Sequence, residues 1–155
     1  MENTLPTTGR LAGIDYGTKR IGVAVSDRRQ TLASPVENYQ RNGEQAESRW
    51  FRQFTQREEI VGIVVGLPVH LDGGESAKSV EARAFAKWLH ELTQLPVVFC
   101  DERYTSKQAE QILIEVDMPR KKRKQRLDML AAQILLQGFL ETRASGDRSM
   151  LPLDG

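Results

Sequence analysis

Residues 11–27 read LAGIDYGTKRIGVAVSD, and the interpretation of this stretch decides the fold. An apolar run enters from Leu11 and meets a single carboxylate at Asp15. It turns through Tyr16-Gly17-Thr18-Lys19-Arg20, and a second apolar run follows from Ile21 to Val25. Two strands joined by a short glycine-containing turn account for this pattern. A carboxylate in a central strand costs several kcal/mol unless a partner or a metal compensates it. Asp15 can serve as an acceptor for the amides of the following turn. It can also serve a ligand, because Thr18, Lys19 and Arg20 in the same turn suit a phosphate.

Working outward, strand one spans about Leu11–Asp15 and strand two about Arg20–Ser26, with 1–9 as a loose tail. Thr31–Tyr39 is β-branched and alternating but contains Pro35, which suits an edge strand. A first helix, about Gln45–Arg57, carries Ala46, Trp50, Phe51 and Phe54 at helical spacing. Ile60–Leu67, IVGIVVGL, is almost continuously apolar, as expected of a strand covered on both faces. Pro68 ends it, and a loop with Asp72-Gly73-Gly74 leads to Ser76, a plausible helix cap. The second helix, about Ala77–Leu92, should bury Val80, Ala84, Trp88, Leu89 and Leu92. Strand five is Pro96–Cys100. Thr105 and Gln108 form a capping pair for a third helix, about Ser106–Val116, ended by Pro119. A last helix, about Gln125–Thr142, should bury Leu127, Leu130, Ala131, Ile134 and Leu135, with 144–155 as a second flexible tail.

Three consecutive strands followed by helix-linked ones predict a single α/β domain over 1–155. Its mixed five-stranded sheet is flanked by helices, with strand one at the centre. Ligand sites in such sheets gather at the carboxyl ends of parallel strands.

Composition narrows the function. A chain of 155 residues with 39% hydrophobic and 28% charged residues suits one soluble domain. Its longest mostly apolar run, Ile60–Val69, is too short to span a bilayer. The polar 1–10 segment contains no export signal, and Cys100, the single cysteine, fits a reducing cytoplasm and packing in a strand. The net charge of +1 conceals an asymmetry, because Arg120, Lys121, Lys122, Arg123, Lys124 and Arg126 fall within seven positions. Without those six, 16 basic residues face 21 acidic ones, a net of −5. A basic cluster on an acidic body points to a polyanionic partner.

Three acids can meet. Asp15 and Glu102 stand at or just past strand ends, and Asp128 opens the last helix beside Ala131 and Ala132, whose small side chains allow close approach to a sheet. Taken singly, Asp128 suits a first helical turn and Glu102 could pair with Arg103 or Lys107. Together they form a hard oxygen donor set suited to Mg²⁺ or Mn²⁺. Zinc is disfavoured with only His70 and His90 available and no cysteine cluster. His90 reads as a surface residue, and His70 as a candidate for proton transfer. Such a site performs phosphodiester chemistry. Thr18, Lys19, Arg20, Arg103, Arg120, Lys121, Lys122, Arg123 and Lys124 would then hold the nucleic-acid backbone.

GIDYGTKRIGVAVSD, VGLP with DGGE after it, DERYTS, and LDMLAAQILLQGFL closely resemble the YqgF family over about Leu11–Leu140. That family is described as Holliday-junction-resolvase-like and as a pre-16S rRNA nuclease. The resemblance implies a ribonuclease-H-like fold, divalent-metal nuclease activity, and a role in maturing the 5′ end of small-subunit rRNA. Its acidic residues fall on Asp15, Glu102 and Asp128, with Asp101 as the alternate to Glu102. Adjacent strand residues point to opposite faces, so only one of that pair can face the site. The chain departs from the family pattern at Gly74, where threonine is common, and has Leu127 before Asp128. Neither change removes an expected ligand. The implied partner is pre-16S rRNA or a pre-ribosomal particle, with branched DNA as the alternative and no membrane, for a monomer or weak homodimer. Two other classes stay open: a nucleotide-binding protein, since Gly13–Thr18 also resembles the phosphate loop of sugar kinases and Hsp70-type ATPases, and a non-catalytic RNA-binding assembly factor.

Overall fold

The computed structural model describes residues 4–67, 77–101 and 120–144; in the last segment, side chains are described from Leu130 onward. Strands β1 (Arg10–Asp15), β2 (Arg20–Ser26) and β3 (Ala33–Gln40) are followed by helix α1 (Glu44–Arg57) and strand β4 (Ile60–Leu67). Helix α2 (Ala77–Thr93), strand β5 (Val97–Asp101) and helix α3 (Arg120–Ala144) complete the described elements.

The sheet order is β3-β2-β1-β4-β5, with β1 central as expected. β1–β2 and β2–β3 pair antiparallel, and β1–β4 and β4–β5 pair parallel. Pro35 sits on edge strand β3 opposite Ala24, beside a register shift between Val23 and Ala24. Proline lacks the N–H that an interior ladder needs, so an edge with an irregularity tolerates it.

Period-2 alternation divides the core in two. Ile14, Val23, Ile63, Val65 and Phe99 pack with Phe51 and Phe54 of α1 and Phe85 and Leu89 of α2. Leu11, Ala24, Val64 and Val98 pack on the other face with Leu135, Leu136, Phe139 and Leu140 of α3. β4 feeds both layers, which explains its unbroken apolar sequence.

Several expectations need correction. In α2 the buried face is Ser79, Ala82, Phe85, Ala86 and Leu89, whereas Val80 is 54% exposed and Ala84 is exposed. Trp88 and Leu92 lie at the margin of that face. Two overlapping apolar stripes exist in this helix, and the one carrying Phe85 buries more surface against the sheet. In α1, Glu47 and Thr55 are buried beside Phe51 and Phe54, while Trp50 and Ala46 are only partly covered. In α3 it is Ala132, not Ala131, that is fully buried.

The loose amino-terminal tail fails at Leu5, which is buried among the α3-side core. Arg143 fastens it by donating to the carbonyls of Leu5 (2.6 Å) and Pro6 (3.1 Å). The last helix begins at Arg120 rather than Gln125, so the basic run is helical and not a preceding loop. Lys and Arg are good helix formers, which here outweighs the unfavourable helix dipole at a positive first turn. Residues 106–116, Thr105, Ser76 and the 69–75 loop lie outside the described residues.

Candidate nucleic-acid site at the carboxyl end of the central strand

Asp15 is the last residue of β1, half-buried, and pairs with Gly22 of β2. Ala12 and Ile14 belong to the α1/α2 layer and Leu11 to the α3 layer, so alternation sets Gly13 and Asp15 on the α3 face.

Gly13 shows how close α3 comes. A Cβ at this position would meet the Cβ of Leu136 at 2.7 Å and the carbonyl oxygen of Ala132 at 3.1 Å. Glycine on the strand and alanine on the helix together permit the approach. The small helical residues were legible in the sequence; the role of Gly13 was not, because its turn-like neighbours suggested a phosphate loop instead.

The direction of α3 follows from its partners. Leu136 lies against Gly13, while Arg143 reaches Leu5 and Pro6, which precede β1. The helix therefore runs antiparallel to β1. Moving toward its amino terminus from Leu136 and Ala132 leads toward Asp15, and position 128 lies one turn before Ala132 on the same helical face. The amino-terminal part of α3 therefore extends toward the carboxyl end of β1. Gln133 and Gln137 hold the helix laterally: Gln133 donates to the Ala33 carbonyl (3.0 Å), and Gln137 accepts from the Ala33 N–H (2.9 Å). α3 rises 1.5 Å per residue, so its basic amino-terminal end at Arg120 stands about 12 Å further along the axis than Asp128.

Phe99 belongs to the α1/α2 layer and Cys100 packs toward the α3 layer, so alternation assigns Asp101 to the Phe99 face. Asp101 is 6% exposed and lies on the face opposite Asp15. Glu102, Arg103 and His70 lie outside the described residues. So do the side chains of Arg120, Lys121, Lys122, Arg123, Lys124 and Asp128. Among the described residues there is no group of three or more His, Cys, Asp or Glu able to hold a metal. His90 is half-buried, its Nδ1 2.7 Å from the Leu95 carbonyl oxygen, which ties it to the end of α2 rather than to a site.

The turn after Asp15 is closely built. A Cβ on Gly17 would collide with the Arg20 carbonyl oxygen, so only glycine fits. Thr18, Lys19 and Arg20 are exposed. Arg41 braces the turn from the other side, in a role that sequence reading missed. Its N–H donates to the Lys19 carbonyl (3.0 Å), and its guanidinium donates to Tyr16 Oη (2.9 Å) and the Gly17 carbonyl (3.2 Å). Two further bonds, of 2.5 and 3.1 Å, go to buried Glu47. Hydrogen bonding to Glu47 outweighs burial and holds the Arg41 guanidinium above its ordinary pKa. The only sequence clue was the pairing of Arg41 with an acid six residues on.

A family described as "RuvX: Holliday junction resolvase" matches residues 9–142. The chain belongs to the RuvX family. This is the YqgF family that its motifs resemble. A protein of Rhodopirellula baltica named "Putative pre-16S rRNA nuclease" is 49% identical over 140 residues, covering 90% of this chain and 81% of that protein. One of the same name from Paracoccus denitrificans is 44% identical over 137 residues, covering 88% and 87%. Among solved structures, Thermus thermophilus RuvC in complex with a Holliday junction substrate aligns with a TM-score of 0.61 at 14% identity, covering 92% of this chain and 99% of that one. The yeast mitochondrial Holliday junction resolvase aligns with a TM-score of 0.52 at 11% identity, covering 91% and 81%. These two share the fold, which is ribonuclease-H-like.

Among the described residues, no helix is long and apolar enough to cross a membrane.

Proposed function

We propose that this RuvX-family chain is a divalent-metal-dependent nuclease that processes the 5′ end of pre-16S rRNA, acting in the cytoplasm as a monomer or weak homodimer. The observation that carries the reading is its identity of 49% to a protein bearing that name, spread over 90% of the chain. The half-buried Asp15 supports it chemically, since it ends the central strand on the α3 face and its carboxylate oxygens are of the type that hard divalent cations take as ligands.

Asp15, Glu102 and Asp128 would hold Mg²⁺ or Mn²⁺, an all-oxygen donor set suited to hard cations. Asp101 is the weaker candidate, because it is buried on the opposite face. When bound, the metal supplies the Lewis acidity that activates water and stabilises charge on the leaving oxygen. The chain's own residues position the substrate. Thr18, Lys19 and Arg20 hold a phosphate beside Asp15, and Arg41 keeps their turn in shape. Arg103 and the helical run Arg120, Lys121, Lys122, Arg123 and Lys124 carry the flanking backbone.

Asp15→Asn preserves shape and removes the charge. Cleavage of precursor rRNA with Mn²⁺ should fall at least a hundredfold, and undiminished cleavage overturns the reading. A second reading, a resolvase of branched DNA, is favoured by the family description. Preferential cleavage of a four-way DNA junction over precursor rRNA by the same protein would select it.

A further inference from the structure

On the face of the sheet opposite α3, a cavity of about 560 Å³ opens between the turn after Asp15 and helices α1 and α2. We propose that it receives an unpaired nucleobase of the RNA, guanine by preference, flanking the phosphate held by Thr18, Lys19 and Arg20 in the turn after Asp15. The inference rests on the nucleic-acid substrate proposed above.

Asp15 and Tyr16 are consecutive, so their α-carbons are about 3.8 Å apart while their side chains leave opposite faces. Thr18, in the same turn, lines the cavity. A strand passing over the end of β1 therefore comes within reach of both sites.

The chemistry of the walls selects the ligand. Arg41 already lies 5.2 Å from the Tyr16 ring centroid and 5.7 Å from that of Phe85. A second cation would have to sit against that guanidinium, which disfavours an arginine or lysine from a protein partner. A phosphate is disfavoured too, because the charge of Arg41 is answered by Glu47 and two more carboxylates, Glu44 and Glu81, stand exposed at the rim. A neutral, flat group rich in hydrogen-bond donors remains. Half-buried Trp88 offers a ring for stacking, held in orientation by its Nε1 donating to Glu44 at 3.2 Å. Unstacked bases lodge against aromatic rings and guanidinium planes in this way. A carboxylate accepts from the paired N1–H and N2–H of guanine, whereas uracil presents a single such donor.

The test uses full-length protein carrying Asp15→Asn, in EDTA, so that binding is read without cleavage. Labelled uridine hexamers with one guanine at successive positions are titrated by fluorescence anisotropy. Guanine at one position should tighten binding about tenfold over the all-uridine hexamer. Glu81→Gln, an exposed change, should abolish that preference, so that the guanine-containing and all-uridine hexamers bind alike. Trp88→Ala should weaken both by about tenfold. No positional dependence, or variants that behave as the parent, overturns the proposal. So does saturable binding of an arginine-rich peptide abolished by the same substitutions without base dependence. If the wild type cleaves no RNA but the guanine contrast persists, the nuclease reading fails and the pocket stands; cleavage with no contrast has the reverse meaning.

Discussion

Gly13→Ala tests the contact on which the site depends. The added methyl would lie 2.7 Å from the Leu136 Cβ and 3.1 Å from the Ala132 carbonyl oxygen. Carbon atoms rest at about 3.5–4.0 Å, so α3 must retreat from β1 by close to 1 Å. Neither neighbour can yield alone, since one is a Cβ and the other is backbone. Overpacking of this kind costs about 1–3 kcal/mol. For a chain of this size that lowers the melting temperature by roughly 2–12 °C. The helix carries Asp128, so the retreat also shifts one acid relative to Asp15, and a misplacement of about 1 Å can cost about a hundredfold in rate. Thermal melts and initial cleavage rates on precursor rRNA, measured below the lowered transition, separate the two effects. Gly138→Ala is the internal control, on the same helix with nothing within 4 Å of its added methyl. It should raise stability by about 1 kcal/mol. A Gly13→Ala protein that melts and cleaves as the wild type does would refute the packing of α3 on β1.

Three further outcomes are expected. Arg41→Ala leaves Glu47 buried without its guanidinium and should lower stability by about 3–5 kcal/mol in urea unfolding; a loss under 1 kcal/mol contradicts the bracing role. Asp27 accepts from the Thr31 hydroxyl and from the Thr31 and Leu32 N–H groups, which hold its pKa below the ordinary 3.8. A depressed folded pKa contributes stability above 3.8 that is lost as pH falls below it. Asp27→Ala should therefore melt with less pH dependence in that acid window than the wild type, and identical profiles would contradict the contribution. Replacing Lys121, Lys122 and Lys124 with Gln should reduce the slope of log affinity against log salt for single-stranded RNA by about 2; an unchanged slope removes the run from the interface.

The sheet was legible because its signals are local. β2 and β4 have the bounds their apolar runs indicate, and Pro35 marks an edge. Helix faces were less legible where two stripes compete. Val80 and Phe85 both lie at helical spacing, and only the sheet beneath α2 decides which is covered. The start of α3 was expected at about Gln125 because the basic run before it carries no apolar period, whereas the helix propensity of Lys and Arg extends the helix back to Arg120. The roles of half-buried Gln133 and Gln137 escaped notice because both bond the backbone of Ala33, which is remote in the chain, and nothing local announces that partner. Asp15 was legible as an interruption in an apolar strand. Arg41 was not, since its importance lies in the carbonyls and rings it meets after folding.

Crystals of the full chain grown with Mn²⁺, with diffraction recorded at the manganese edge, address the central claim most directly. The predicted result is anomalous density beside the Asp15 carboxylate, shared with Glu102 and Asp128. Manganese bound only elsewhere, with the Asp15 carboxylate free of it, would contradict the account.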